Sequence, residues 1–239
     1  MWLSRHRVLL GTAAIVAATV GAVVVRAADA DSPGYVSSYV PTTTVAPPPM
    51  PTIKGAPRIL FYGDEITLGA SSTGDAATYR DRVVAATSRS GHSRPTVIAH
   101  DGIRVGSFLS ENRTPPGGFD LAIVELGTHD VTATPPELFR GSYGSLLTTL
   151  GIDKAAAALI CLGVWANSID APPYDAVIRD QCRSAGGTYV PLYQLYTRES
   201  LRGQAGTHID GRGVDRFHPN DAGHAAIADE ILQTISIVD

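Results

Sequence analysis

The feature that most constrains the fold of this chain is the alternation of short apolar runs with longer amphipathic segments after residue 57. Apolar runs of strand length lie at residues 58–62, 96–99, 121–126, 157–164 and 188–192. Segments with helical spacing of apolar residues lie at 78–87, 137–150, 174–185 and 221–235. Strands that are apolar on both faces are typical of parallel sheets covered by helices, so the pattern predicts an α/β domain.

The first 56 residues do not share this pattern. Arg5 and Arg7 precede an uncharged apolar run over residues 8–25, and Ala28-Asp29-Ala30 is a small-x-small sequence of the kind that signal peptidase cleaves. Residues 1–30 are therefore predicted to be a signal peptide cleaved after Ala30 or a membrane anchor retained through residues 8–25, and the sequence leaves both open. Either way, the domain is expected to be extracytoplasmic.

Composition separates the remaining regions and excludes one class of partner. Residues 31–56 are rich in Pro, Thr, Ser and Val without a period, which predicts a linker, and residues 57–239 are predicted to form the folded domain. The net charge of −4 argues against nucleic-acid binding. An oxidising compartment would permit a disulfide between Cys161 and Cys182, with buried free thiols as the alternative. None of these features indicates an oligomeric state.

Residues with chemical potential follow several predicted strands or precede the last helix. The groups are GDEITLG at 63–69, Gly102 within HDGIRVG, GTHD at 127–130 and DRFHPN at 215–220. In an open parallel sheet, ligands bind beyond the carboxyl ends of the strands. We therefore expect these groups to meet at that edge of the sheet.

In order and spacing, these groups resemble the sequence blocks of the SGNH, or GDSL-type, hydrolases across about residues 57–239. The resemblance implies a flavodoxin-like three-layer fold with a parallel sheet of about five strands. It also implies hydrolysis of acyl esters without a cofactor or a metal. By position, His218 matches the general base and Asp215 the residue that orients it. The residues that match the oxyanion and substrate-binding positions are Gly102, Gly127, His129 and Asp130.

Two positions depart from the pattern of that family. Glu65 stands where the family has its nucleophilic serine, and His129 stands where it has an asparagine. A histidine ring can still donate a hydrogen bond to an oxyanion. A glutamate has no hydroxyl to activate, and its charge would repel the developing oxyanion, so ordinary serine-esterase chemistry through residue 65 is excluded.

Three interpretations of residue 65 remain open at this point. Glu65 could act as a nucleophile or general base, a nearby hydroxyl of Thr67, Ser71 or Ser72 could replace the serine, or Glu65 could form a static ion pair with His218. A metal cluster of His208, Asp210, Asp215 and His218 is disfavoured, because its spacing matches no closed site and the motif already accounts for two of its members.

Location and resemblance together suggest the class of ligand. For an extracytoplasmic member of such a family, an acyl ester of a cell-envelope glycan or lipid is the expected ligand. The competing hypothesis is a catalytically inactive homologue that binds an envelope ligand, with the membrane as a further partner if residues 8–25 are retained.

Overall fold

The computed structural model describes residues 50–88, 91–111, 118–151, 158–209 and 212–238. The predicted signal or anchor and most of the predicted linker lie outside these ranges. Within them, no helix has the length and apolar character needed to cross a membrane. The strands are β1 Thr52–Lys54, β2 Arg58–Gly63, β3 Arg94–Ala99, β4 Leu121–Glu125, β5 Ala158–Leu162, β6 Thr188–Val190, β7 His208–Ile209, β8 Arg212–Gly213 and β9 Ser236–Val238. The helices are α1 Glu65–Leu68, α2 Tyr79–Thr87, α3 Val105–Ser110, α4 Pro136–Leu150, α5 Ala171–Ser184, α6 Tyr193–Tyr196 and α7 Asp221–Leu232.

Five strands form one parallel sheet in the order β3-β2-β4-β5-β6. This is the strand order of a flavodoxin-like doubly wound fold, so the predicted fold class is confirmed. All five predicted strands are present, with small shifts at their ends. Helix α5 begins at Ala171, before the predicted start at residue 174. Pro172 and Pro173 are tolerated there because the backbone N–H groups of the first helical turn make no bond within the helix.

Helices cover the sheet on both faces because the side chains of each strand alternate between two cores. On β2, Leu60 and Tyr62 pack into the cluster that contains residues of α4 and α5. Ile59 and Phe61 pack into the other cluster, with residues of α2 and α7. This alternation is the period of two expected for a strand that is buried on both sides.

A second, two-stranded parallel sheet joins β1 to β9 near the two ends of the described chain. Ile53 pairs with Ile237 and is almost fully buried. Strand β1 lies within residues 31–56, the range that the sequence assigns to the linker. The structure therefore adds residues 52–54 to the folded domain, a contribution too short for the sequence pattern to reveal.

Cys161 and Cys182 form a disulfide between β5 and α5, with their Cα atoms 6.1 Å apart. Both cysteines are fully buried in the core under α5. The helix runs back across the strand that precedes it, which brings the two residues together. Of the two alternatives left open by the sequence, the structure contains the disulfide and not the free thiols.

Candidate active site

A sharp turn after β2 presents Glu65. Strand β2 ends at Gly63, and the Asp64 side chain then caps α1 by accepting a hydrogen bond from the Ile66 N–H at 2.9 Å. Glu65 is the first residue of α1 and is 5% exposed. The elbow therefore fixes the Glu65 carboxylate at the carboxyl edge of the sheet, where the fold places ligands.

Three donors converge on the Glu65 carboxylate. Oε1 accepts from Nε2 of His129 at 2.6 Å and from Nε2 of His218 at 3.1 Å, and Oε2 accepts from the backbone N–H of Gly102 at 3.0 Å. Gly102 has a φ of 71°, a conformation that favours glycine and that sets the loop after β3. The structure thus brings together residues from four separate sequence blocks around one carboxylate.

Asp215 holds the other side of the His218 ring. Its Oδ2 lies 2.7 Å from Nδ1 of His218, and its Oδ1 accepts the backbone N–H groups of Phe217 and His218 at 2.8 and 2.9 Å. His218 therefore has a carboxylate at each ring nitrogen. Both contacts are satisfied together only when both nitrogens carry hydrogen, that is, when the ring is an imidazolium.

The electrostatics of the site follow from these contacts. Burial alone would raise the pKa of Glu65, but the hydrogen bonds from His129, His218 and Gly102 outweigh it and hold that pKa well below its usual range. The bond to Glu65 raises the pKa of His129. Burial would lower the pKa of His218, but Glu65 and Asp215 together raise it. The favoured state is an anionic Glu65 between two protonated imidazoles.

Two residues of the third block support the loop rather than surround Glu65. Asp130 is buried and accepts from the Val105 N–H and the Thr134 hydroxyl, which ties the loop after β4 to the start of α3. Gly127 has a φ of 124°, and a Cβ there would lie 2.9 Å from the Phe139 ring. A ligand-binding role for either residue stays a prediction.

A second group of polar residues lies buried beneath the elbow. Thr67 donates to Glu125 at 2.9 Å and accepts from the Tyr79 hydroxyl at 2.7 Å. Burial raises the pKa of Glu125 to about 7, and burial together with the charges of Glu125 and Glu65 raises the pKa of Asp64 well above its usual range. With its hydroxyl engaged in this way, Thr67 is not available as a replacement nucleophile.

Metal binding can be judged from the donor set. Within the described ranges, Asp64, Glu65 and His129 each offer one ligand atom, and these atoms lie within 4.8 Å of one another. However, three N–H donors already occupy the Glu65 carboxylate, and Asp64 is completely buried. The arrangement favours a hydrogen-bonded network over a cation. Asp210 of the sequence-derived cluster lies outside the described residues.

A cavity of about 480 Å³ borders His129, and sequence reasoning did not find it. Its lining includes Trp165, Asn167, Tyr196 and Phe217, which come from three different segments. Trp165 and Asn167 follow β5 directly, so the rule that ligands bind at the carboxyl ends of strands could have indicated them. Tyr196 carries no such signal, because α6 is a single short turn.

Comparisons with known proteins agree with this architecture. The family model described as "GDSL-like Lipase/Acylhydrolase family" matches residues 61–226. A search of curated proteins found no match to the chain.

Several solved structures share the fold. One is LAE5, an α/β hydrolase from the metagenome of Lake Arreo, with a TM-score of 0.58 and 18% identity over 76% of this chain and 96% of that one. Axe2, an acetylxylan esterase from Geobacillus stearothermophilus, gives a TM-score of 0.56 and 17% identity over 76% and 95%. Phospholipase A1 from Streptomyces albidoflavus gives 0.56 and 15% over 75% and 100%. At these identities, the likeness concerns the fold.

Proposed function

This chain belongs to the GDSL-like lipase/acylhydrolase family, and we propose that it is an exported member that binds an acyl ester of a cell-envelope glycan or lipid without serine-type turnover. The family is one of esterase-like hydrolases, which confirms the SGNH resemblance carried by the sequence blocks. In the proposal, Glu65 stands in the place of the nucleophilic serine. The basic and apolar N-terminal segment and the disulfide support the location outside the cytoplasm.

One observation carries the proposal: the Glu65 carboxylate occupies the donors that an ester oxyanion would need. The backbone N–H of Gly102 and Nε2 of His129, which the family resemblance assigns to the oxyanion hole, both donate to Glu65. A substrate carbonyl would have to displace a buried, charge-assisted acceptor in order to use them. The site is therefore closed to ester turnover by one of its own side chains.

The protonation states of His218 and Glu65 also argue against ester turnover. His218 is flanked by two carboxylates and is favoured as an imidazolium, which cannot accept a proton from a nucleophile. Glu65 has a lowered pKa, which makes it a weak base and a weak nucleophile. Of the remaining hydroxyls, Ser72 donates to the backbone oxygen of Gly69. These contacts favour ligand binding over a carboxylate mechanism or a replacement hydroxyl.

The test combines a fluorophosphonate probe with p-nitrophenyl acetate. We expect wild-type protein to be neither labelled nor active, because the described residues place no activated hydroxyl at the donors. Glu65→Ser should gain both labelling and slow hydrolysis, since it supplies a hydroxyl and empties the oxyanion donors. Its rate should remain low because histidine replaces the asparagine donor, and a lost oxyanion donor costs roughly 10²–10³ in rate. Glu65→Ala is the matched control, because it empties the donors without supplying a nucleophile.

Two results would contradict the proposal. Labelling of wild-type protein at Ser71 or Ser72 would establish a replacement nucleophile. Turnover by unlabelled wild-type protein that Glu65→Gln abolishes would establish a carboxylate mechanism. In the Glu65→Ser background, adding His218→Ala should remove most of the activity gained, since His218 is the histidine at this position that Asp215 orients as a base.

Export is tested separately. We expect the protein to be recovered from the extracytoplasmic fraction with its two cysteines oxidised. N-terminal sequencing of that material decides between cleavage after Ala30 and retention through residues 8–25. Recovery in the cytoplasm with free thiols would contradict the proposed location.

A further inference from the structure

The cavity beside His129 adjoins the candidate site directly. It has a volume of about 480 Å³ and lies among the loops that follow β4 and β5 and the loop before α7. His129 is part of its wall and also donates to Glu65. Phe217, another wall residue, packs edge-on against the His218 ring at 5.1 Å between ring centroids. A molecule held in this cavity would therefore lie against His129 and against Phe217, the neighbour of His218.

Aromatic side chains form one part of the wall and are held firmly in place. Trp165 is buried and donates from Nε1 to the backbone oxygen of Phe217 at 2.6 Å. Tyr196 packs edge-on against Trp165 at 5.6 Å and against Phe217 at 5.7 Å. Tyr196 and Phe217 themselves are only half-buried. The Arg202 guanidinium lies over one face of Tyr196, 4.7 Å from the ring centroid. Phe217 and the remaining surface of Tyr196 offer a preformed apolar wall next to polar groups, which is the usual composition of a small-molecule site.

Polar groups form another part of the wall. Asn167 donates to Oδ2 of Asp170 at 2.7 Å, and its own oxygen accepts the backbone N–H groups of Ile169 and Asp170. These bonds fix the Asp170 carboxylate and leave its Oδ1 to accept from a ligand. Among the described residues that line the cavity, none is a lysine or an arginine. His129, the histidine of this wall, is already paired with Glu65. An anionic ligand would thus meet the Asp170 carboxylate without a free cation in the described wall to offset it.

We propose that this cavity binds a neutral sugar ring of an acylated glycan, with the acyl group directed towards Glu65. Sugar hydroxyls supply donors for Asp170, and the apolar face of the ring packs on Tyr196 or Phe217. A fatty acyl chain would instead cover Oδ1 of the Asp170 carboxylate without offering it a donor, which costs free energy. This inference rests on the proposed function, and it selects the glycan from the two ligand classes named there.

Thr132 gives independent support. It lies in the wall with a φ of 67°, in a turn closed by the bond from the Ala133 N–H to the Asp130 oxygen. A β-branched residue in this conformation is a strained outlier, whereas glycine would adopt it freely. Strain of this kind is concentrated at functional sites, and a hydroxyl at the wall of a sugar site is a reason to keep it.

Wild-type protein is titrated with two neutral oligosaccharides, triacetylchitotriose and xylotriose, and binding is measured by NMR and calorimetry. Decanoate and glucose 6-phosphate serve as the fatty and anionic probes. We expect saturable binding of at least one neutral oligosaccharide and none of the other two probes. Asp170→Ala should weaken that binding roughly tenfold, because it removes a hydrogen bond to a charged group. Tyr196→Ala should also weaken it.

The matched control is Asp180→Ala, which removes an exposed carboxylate on α5 that is no part of the cavity wall. It should leave binding unchanged. Asp170→Asn keeps the size of the side chain, so its melting temperature and its affinity together separate lost binding from lost folding. Thr132→Gly should weaken binding while the protein becomes more stable.

Three results would overturn this inference. The protein could bind decanoate or glucose 6-phosphate but neither neutral oligosaccharide, or it could bind none of the probes. The third result is oligosaccharide binding that is unchanged in both Asp170→Ala and Tyr196→Ala. Failure of the proposed function would look different, because wild-type protein would then be labelled or active. In that case, the cavity variants should raise KM for acetylated sugars more than they raise KM for p-nitrophenyl acetate, which carries no sugar.

Discussion

Glu65 stabilises the protonated forms of both histidines of the site, and the protonated form of His129 depends on it more than that of His218. His129 has only the bond to Glu65 as a strong acceptor among its described contacts, whereas His218 also has Asp215. Removing one partner of a buried ion pair leaves the other uncompensated. The difference between the two histidines therefore offers a direct measure of the charge on Glu65.

We predict that Glu65→Gln lowers the pKa of both histidines and lowers that of His129 more. The bond to Glu65 is the main cause of the raised pKa of His129, while Asp215 continues to support a protonated His218. An NMR titration of the imidazole resonances measures both values. An unchanged His129 would show that the described contact is not made in solution.

The same contacts predict a pH dependence of stability. The raised pKa values of His129 and His218 mean that their stabilisation is complete below the ordinary value of 6.5 and is lost as pH rises through the folded values. The lowered pKa of Glu65 means that its part is complete above 4.5 and is lost only at lower pH. Wild-type protein should therefore exceed Glu65→Gln in melting temperature most between about pH 4.5 and about pH 6.5.

Thermal melts of both proteins from about pH 5 to about pH 9 measure this difference. Glu125, with a pKa raised to about 7, titrates in the same range in wild-type protein, and part of that rise comes from the charge on Glu65. The difference between the two proteins, rather than either curve alone, therefore reports on Glu65. A difference in melting temperature between the two proteins that grows above about pH 7 would contradict the pairing of Glu65 with protonated histidines.

Thr132→Gly tests the strain at the cavity wall. We predict a gain of about 1 kcal/mol in the free energy of unfolding, since glycine adopts a φ of 67° without strain but loses more chain entropy on folding. For a chain of this size that is roughly 2–4 °C in melting temperature. Ser71→Gly is the matched control, because Ser71 has a φ of 61° and is no part of the cavity wall. It should stabilise the protein without affecting ligand binding.

At the scale of elements, the disulfide fixes α5 to β5, the strand that leads into the cavity wall. The bonded cysteines are 21 residues apart in sequence, and closing a loop of this size restricts the unfolded chain. We predict that replacing both cysteines with alanine lowers the free energy of unfolding by about 3 kcal/mol. Denaturant unfolding measures the loss. Thiol labelling of denatured, unreduced protein should find no free thiol, and two labelled thiols would disprove the bridge.

Long elements could be predicted from the sequence because their apolar periodicity extends over many residues. The five strands of the main sheet and helices such as α4 and α7 were found in this way. Strand β6 is also short but lies in the apolar run at 188–192, whereas β1, β7, β8 and β9 are short and lie in no such run, and α1 is a single turn. These elements depend on tertiary pairing, such as that of Ile53 with Ile237, which a single sequence does not display.

The candidate site was predictable to the extent that it follows motifs. Glu65, Gly102, His129, Asp215 and His218 were identified from their blocks, and the structure brings them together. The cavity was not predictable, because its wall combines segments without a motif. The sequence also could not show that Glu65 accepts hydrogen bonds from Gly102 and His129 as well as from His218, since that depends on side-chain geometry.

At the scale of the whole molecule, β1 and β9 join the two ends of the described chain. Ile53 is 2% exposed and packs in the core cluster that also contains residues of α7. We predict that Ile53→Asp, or a chain that begins at Pro57, has a clearly lower melting temperature than the wild-type protein, because a buried apolar contact is lost. Thr52→Asp, at an exposed position of the same strand, is the control and should have little effect. If Ile53→Asp, the shortened chain and the wild-type protein all had the same melting temperature, the stable domain would begin at β2 and would not depend on β1.

Under the proposed function, an ester that binds at this site competes with Glu65, and a dissolved ester does not overcome that competition by concentration alone. Glu65 is attached to the same domain as the donors it fills, so its effective concentration there far exceeds that of any free molecule. A neutral carbonyl is also a weaker acceptor than a carboxylate. A ligand therefore gains affinity from the neighbouring cavity, where Glu65 does not compete. Within a series of esters, the affinity of wild-type protein should then depend on the sugar that carries the acyl group. It should not depend on the reactivity of the leaving group.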